Sequence, residues 1–228
     1  MGLIMLVFTT MSGEDVAATG LIAKWATADD FAQSMLRKTT ERQRDFVLTR
    51  SLLRALLKKT TDDDVWQIHS DPNGRPRAIT LNGTAAPYIS LSHTPGLVAC
   101  AVSLDGSIGI DVESWRERDF VALAQYAFGQ LEREEISQNG ISAFYRIWTL
   151  REAIAKAAGN GIFSTFDGRD YAANAPVTGC WISGEWKLFH TSPHPKYSLA
   201  LAYKNGNKVS DTLPIMIDAG TLWEPPAG

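Results

Sequence analysis

The chain has 228 residues, 45% hydrophobic and 21% charged, enough apolar material for one large core or two small ones. Its formal charge of −3 supplies no overall field for gripping nucleic acid, so an anionic ligand must meet a local basic patch. The two cysteines, Cys100 and Cys180, show neither C-x-x-C nor zinc spacing, which excludes a disulfide framework and a structural zinc centre and suits a reducing, cytoplasmic compartment.

In chain order, the apolar stretch 3–8 lacks a basic region before it and runs into Ser12, Gly13, Glu14 and Asp15, so it reads as a first strand rather than a leader. No stretch is long and apolar enough for a membrane span. Residues 41–59 place Phe46, Leu53, Leu56 and Leu57 at helical spacing, with Arg50, Arg54 and Lys58 on the flank of an amphipathic helix. Asp62, Asp63 and Asp64 read as a solvated loop. Short β-type runs follow at 65–69, 88–92, 97–103 and 108–113. A second long helix is predicted over 141–158, entered at Asn139 and Gly140 and stopped by Gly159. Two further strands are predicted at 181–189 and 197–203. His190 and His194 have no acidic or cysteine partner at ligand spacing and read as surface residues.

Strands beside separate helices make the class α+β. The shift that lays Arg50 on Arg151 also lays His93 on His194, and Ala99 and Ala101 on Ala200 and Ala202. This predicts a pseudo-twofold pair of similar α+β halves, 1–104 and 105–228, joined near Leu104, Asp105 and Gly106. Ligand sites favour such junctions, so the active site is expected at their interface.

The chemistry concentrates in two segments. In the predicted strand 108–113, alternation sends Ile108, Ile110 and Val112 to one face and Asp111 and Glu113 to the other, with Gly109 leaving room beside the two acids for a ligand. In the predicted helix, Trp148, Glu152 and Lys156 recur every four residues and share one face, so Glu152 is placed to complete a carboxylate triad. All-oxygen ligation completed by substrate phosphates is the habit of magnesium, and Lys156 would reach the same phosphate. The plain alternatives are a solvated edge strand and an exposed Glu–Lys helix pair; Trp148 on the same stripe argues for a partly buried face.

Together the two segments resemble the signature of the 4′-phosphopantetheinyl transferase superfamily, a Gly-x-Asp strand followed by a Trp-x-x-Lys-Glu-Ala-x-x-x-Lys helix. Arg151 stands where that family usually has Lys. Upstream, Ser92-His93-Thr94 resembles the Ser-His-Ser segment of the family's two-lobed, surfactin-synthetase-associated branch. Asn73-Gly74-Arg75-Pro76 resembles its Gly-Lys-Pro turn, and Arg50 matches an Arg near the start of its N-terminal helix. The similarity covers 35–165 in discontinuous blocks, and the last twenty-five residues match nothing.

The resemblance implies coenzyme A as co-substrate, magnesium as cofactor, and an acyl, polyketide or peptidyl carrier protein as acceptor, in a monomer that meets neither nucleic acid nor membrane. It implies Asp111, Glu113 and Glu152 as metal ligands, Glu152 and Lys156 as catalytic residues, and Arg50, Gly74, Arg75, Pro76, Ser92, His93 and Lys156 as contacts of coenzyme A. Glu132 falls where the family often has a further acid near the metal's water, which leaves a water-relayed base as an alternative to Glu152. Arg37, Lys38, Arg42 and Arg44 are candidates either for docking the carrier or for flanking the coenzyme's phosphates. Two other functional readings stay open: another magnesium-dependent phosphoryl-transfer enzyme, and a degenerate homologue that only binds carrier proteins.

Overall fold

Leu48, Leu52, Leu53, Leu56 and Leu57 recur at helical spacing and are all fully buried, so the stretch around them must be a helix laid on a sheet. The computed structural model describes residues 4–10, 16–61, 63, 65–72, 74–80, 86–204 and 214–222. Its elements are β1 (Ile4–Thr10), α1 (Val16–Trp25), α2 (Ala28–Ser34), α3 (Thr40–Thr61), β2 (Trp66–Ser70), β3 (Pro76–Thr80), β4 (Tyr88–Thr94), β5 (Leu97–Ser103), β6 (Ser107–Ser114), α4 (Phe120–Ala127), α5 (Gln130–Ala158), β7 (Gly179–Ser183), β8 (Trp186–Thr191), β9 (Tyr197–Lys204) and β10 (Ile215–Asp218). Among the described residues no helix is long and apolar enough to cross a membrane.

The α+β class holds, in two compact units: Met1–Asp105 with Thr212–Gly228, and Gly106–Asp211. In the first, α1 and α3 cover a sheet ordered β10-β1-β5-β4, with β2 and β3 as a separate hairpin. Arg54 ties this unit together. Its guanidinium pairs with Asp30 of α2 and donates to the carbonyls of Trp66 (3.1 Å) and Trp25 (3.2 Å), so a buried cation is fully compensated. In the second unit α5 lies on a sheet ordered β6-β9-β8-β7. Ala99 and Ala101 sit on the interior strand β5, and Ala200 and Ala202 on the interior strand β9, all at zero exposure. Ala200 and Ala202 lie in the core with α5, whereas in the first unit it is the alternate residues of β5, Val98, Cys100 and Val102, that pack in the core with α3.

Four differences from the sequence expectation have physical causes. The predicted strand 181–189 is a hairpin, β7 and β8, turned at Gly184 whose φ is +57°. The second helix begins eleven residues before its predicted start, at Gln130, and is broken where Gly140 adopts φ +65°, ψ −144°; Gly159 ends it in the left-handed conformation at φ +79°. The terminal strand β10 pairs in parallel with β1, so the segment assigned by its place in the chain to the second half joins the first unit. His190 is not a surface residue: it is 1% exposed on β8. Of the acidic run, Asp62 and Asp64 lie outside the described residues, while Asp63 is engaged by Val65 N and Thr80 Oγ1.

Candidate active site

Strand β6 is buried along both faces, with Ile108, Ile110 and Val112 on one and Gly109 and Asp111 on the other. Gly109 makes room for a helix rather than a ligand. A Cβ built there would lie 2.0 Å from the carbonyl oxygen of Ala153 and 2.5 Å from the amide of Ala157, both backbone atoms of α5. That close approach brings Lys156 to the strand: its Nζ donates to Asp111 Oδ1 at 2.7 Å and to the Ile110 carbonyl at 3.1 Å. Asp111 is 5% exposed, so the ammonium offsets a charge that burial would otherwise make costly.

Glu152, one turn before Lys156, is pushed up to about 7, first by burial and then by the negative charge of Asp111, with Lys156 pulling the other way and Glu113 adding to the rise. Glu113 is raised as well, by burial and by Asp111, against the lowering influence of Arg118, Lys156 and Arg116. The three predicted acids thus share one electrostatic neighbourhood, with Lys156 as the cation common to both shifts. As the side chains stand, no three His, Cys, Asp or Glu residues converge as a metal site among the described residues. The donor set is nonetheless all carboxylate oxygen, the chemistry magnesium takes, and a divalent cation would reverse the mutual repulsion that raises Glu113 and Glu152. The residues fit the ion by chemistry and by charge.

Trp148 anchors the stripe. It lies half-buried among Phe128, Phe144 and Phe166, with ring centroids 6.3, 5.7 and 5.9 Å away, which fixes the rotation of α5 about its axis. Arg151, three residues along α5 from Trp148 and on the adjoining flank of the helix, is fully buried and shares the ring of Phe128 with it. Its Nε donates to Glu132 Oε2 at 3.0 Å, its terminal nitrogens pair with Glu132 and the carbonyls of Thr165 and Arg169, and it stacks on Phe128 and Tyr171. Glu132 in turn accepts from the amides of Gly129, Tyr171 and Ala172. Each nitrogen of this guanidinium and each oxygen of this carboxylate has a partner, so Glu132 serves as a clamp between α5 and the loop after it and is removed from the proton relay. Nothing in the one-dimensional pattern distinguished such a clamp from a catalytic acid.

The predicted coenzyme contacts other than Lys156 fall in the first unit. Arg50 is 5% exposed, its NH1 is buried without a hydrogen-bond partner, and it shares the ring of Phe46 with Arg37, at 5.1 and 4.6 Å. Burial and the nearby Arg54 and Arg37 lower its proton affinity, while Asp30, already committed to Arg54, opposes them. A buried guanidinium with an unmatched N–H is a poor structural element and a good anion receptor. Gly74 makes a tight turn at φ +80°, donating to the Asp71 carbonyl at 2.8 Å; Arg75 follows half-buried and Pro76 opens β3. Asn73 lies outside the described residues. Ser92 is buried and His93 exposed on β4, opposite Ala99 and Val98 of β5. A cavity of about 460 Å³ in the second unit, lined by Ile154, Tyr171 and Trp186 among others, includes none of the predicted site residues.

Residues 107–202, from β6 through β9, match the family model of the 4′-phosphopantetheinyl transferase superfamily. The chain is 31% identical over 156 residues to the 4′-phosphopantetheinyl transferase HetI of Nostoc, a match covering 65% of this chain and 63% of that protein. It is 36% identical over 91 residues to the transferase AcpT of Salmonella typhimurium, covering 38% and 46%, and 30% identical over 99 residues to the transferase gsp of Aneurinibacillus migulanus, covering 42% and 36%. The chain thus spans less than two thirds of the length of these curated relatives.

Proposed function

With residues 107–202 matching the 4′-phosphopantetheinyl transferase superfamily, we propose that the chain transfers the phosphopantetheine arm of coenzyme A to a serine of an apo carrier protein. The observation that carries this reading is the 2.7 Å ion pair between Lys156 and Asp111, which ties the helix stripe to the acids of β6. The serine Oγ attacks the phosphorus of the phosphopantetheine, the phosphoanhydride bond breaks, and 3′,5′-ADP leaves with the electron pair. Glu152 is assigned to receive the hydroxyl proton. Lys156 holds the pyrophosphate as a compact cation. Asp111, Glu113 and Glu152 would hold magnesium, which supplies neutralisation of charge on the phosphate oxygens. Arg50, Arg75, Ser92 and His93 are assigned to the 3′-phosphate end of the coenzyme, with Gly74 and Pro76 shaping the turn that carries Arg75. We propose that it acts as a monomer in the cytoplasm.

Incubation with coenzyme A, magnesium and an apo carrier protein tests this directly. The carrier should gain the mass of one phosphopantetheine arm, and Glu152→Gln should abolish the gain while leaving the fold intact. A carrier of unchanged mass, across carriers of fatty acid, polyketide and peptide synthesis, would sink the reading. Hydrolysis of coenzyme A without carrier modification would favour another phosphoryl-transfer activity.

A further inference from the structure

Transfer onto a folded protein needs a surface that holds the acceptor apart from the reacting atoms, and a chain of net charge −3 repels an acidic acceptor everywhere except where its local sign reverses. An exposed stretch shows such a reversal. Residues 35–44 carry Arg37, Lys38, Arg42 and Arg44 against the single acid Glu41. Arg37, Lys38 and Arg42 are exposed, and beside them stand three large exposed apolar side chains, Phe31 at 51%, Met35 at 70% and Leu36 at 79%.

These residues are not loosely held. The helix α2 is fixed by a capping box, Thr27 accepting from Asp30 N and Asp30 accepting from Thr27 N at 2.9 Å, and its inward face is pinned where Asp30 pairs with Arg54. Gln43 donates to the Arg37 carbonyl at 3.1 Å, and Arg37 rests on Phe46. The protein therefore spends rigid structure on presenting apolar groups to water inside a basic rim, which is the composition of a docking patch with a central anchor.

We propose that Phe31, Met35 and Leu36, rimmed by Lys38 and Arg42, form the surface on which an acidic carrier protein docks, its carboxylates meeting the rim and an apolar side chain seating on the three anchors. The inference rests on the transferase reading above. A membrane surface fits less well, because α2 runs only seven residues and offers no extended amphipathic face. The exposed apolar residues of α4, Val121, Leu123 and Tyr126, are the competing surface, but Glu117, Asp119, Arg116 and Arg118 flank them with charges of both signs.

Steady-state transfer by the full chain separates the cases. The double variants M35E/L36E and K38E/R42E alter exposed side chains only, and thermal melting verifies their fold. Each should raise the KM for the apo carrier by about tenfold or more, with kcat and the KM for coenzyme A unchanged. Added salt should raise the carrier KM of the native chain and hardly that of K38E/R42E. An unchanged carrier KM overturns the docking surface while leaving the transferase reading intact, as does a loss confined to Tyr126→Ser. An equal rise in the KM for coenzyme A assigns the basic rim to the coenzyme and also overturns it, and so does binding to phosphatidylserine vesicles that the same variants abolish. Absence of any transfer by the native chain removes both readings.

Discussion

Arg50 and Arg151 are both buried guanidiniums, yet every nitrogen of the Arg151 guanidinium is hydrogen-bonded while Arg50 leaves NH1 with no partner. Removing Arg151 would strand Glu132 inside the second unit, whereas removing Arg50 would relieve an unmet desolvation cost. Arg50→Ala is therefore expected to raise the KM for coenzyme A by about 10- to 100-fold, the worth of one or two charged hydrogen bonds, without lowering the melting temperature. A fall in stability with an unaltered KM would show a structural role instead. His190 gives a residue-scale prediction of another kind. Its Nδ1 meets the Val177 carbonyl, its Nε2 is buried without a partner, and burial, aided by Arg146, depresses its pKa to about 4. The unfolded chain takes up this proton as pH falls below its ordinary value near 6.5, and the native chain refuses it until about 4. His190 thus costs stability as pH falls through that window, by about 3 kcal/mol in full. Glu152 works in the opposite sense: its native pKa near 7 means the folded chain binds the proton first, and stability is gained as pH falls toward 4.5. Urea denaturation of the native chain and of His190→Gln at pH 7 and pH 5 isolates the first effect. The variant should lose less stability on acidification, and parallel losses would refute the assignment.

Among the elements, β6 and α5 meet at a spacing only glycine allows. Gly109→Ala drives a methyl into the backbone of Ala153 and Ala157, which no side-chain rotation can relieve. The helix must lift, breaking the Lys156–Asp111 bond, so a destabilisation of about 2–3 kcal/mol and loss of transfer are expected together. Measuring both in one variant tests whether the site depends on this approach, since native activity at reduced stability would separate them. The Gly109 contact also shows what the sequence made legible. The period-two alternation of β6 and the four-residue stripe of α5 are local patterns, and Asp111, Glu113, Glu152 and Lys156 could be read from them because each element shows its face in its own spacing. The first arm of α5, from Gln130 to Asn139, was hidden because its apolar residues are sparse and Gly140 reads as a boundary. Arg151 and Glu132 were opaque for a related reason: their partners are main-chain groups at Thr165, Arg169, Tyr171 and Ala172, and such contacts carry no residue-type signal.

For the whole molecule, the chain does not simply finish one unit and then build the next. It leaves the first unit at Asp105, forms the second, and returns so that Met5, Leu6, Val7 and Phe8 of β1 pair with Ile215, Met216, Ile217 and Asp218 of β10. No local pattern announces a parallel pairing between strands so far apart in the chain, which is why the sequence placed this segment by chain order alone. The return is energetically substantive, since Ile217 and Ala219 are buried in the core formed by Leu21, Leu52, Leu56 and Val98, and Leu222 packs against it. Deleting residues 212–228 should therefore unpair one edge of β1 and open that core while sparing β6 to β9. Amide hydrogen exchange reads this out. Protection should fall across β1, α1 and β5 and persist in α5 and β9, and the truncated chain should bind coenzyme A more weakly through the loss of order around Arg50. Uniform loss of protection across both units would instead mean that they fold as one cooperative block, and unchanged protection would mean that β10 contributes nothing to the first unit.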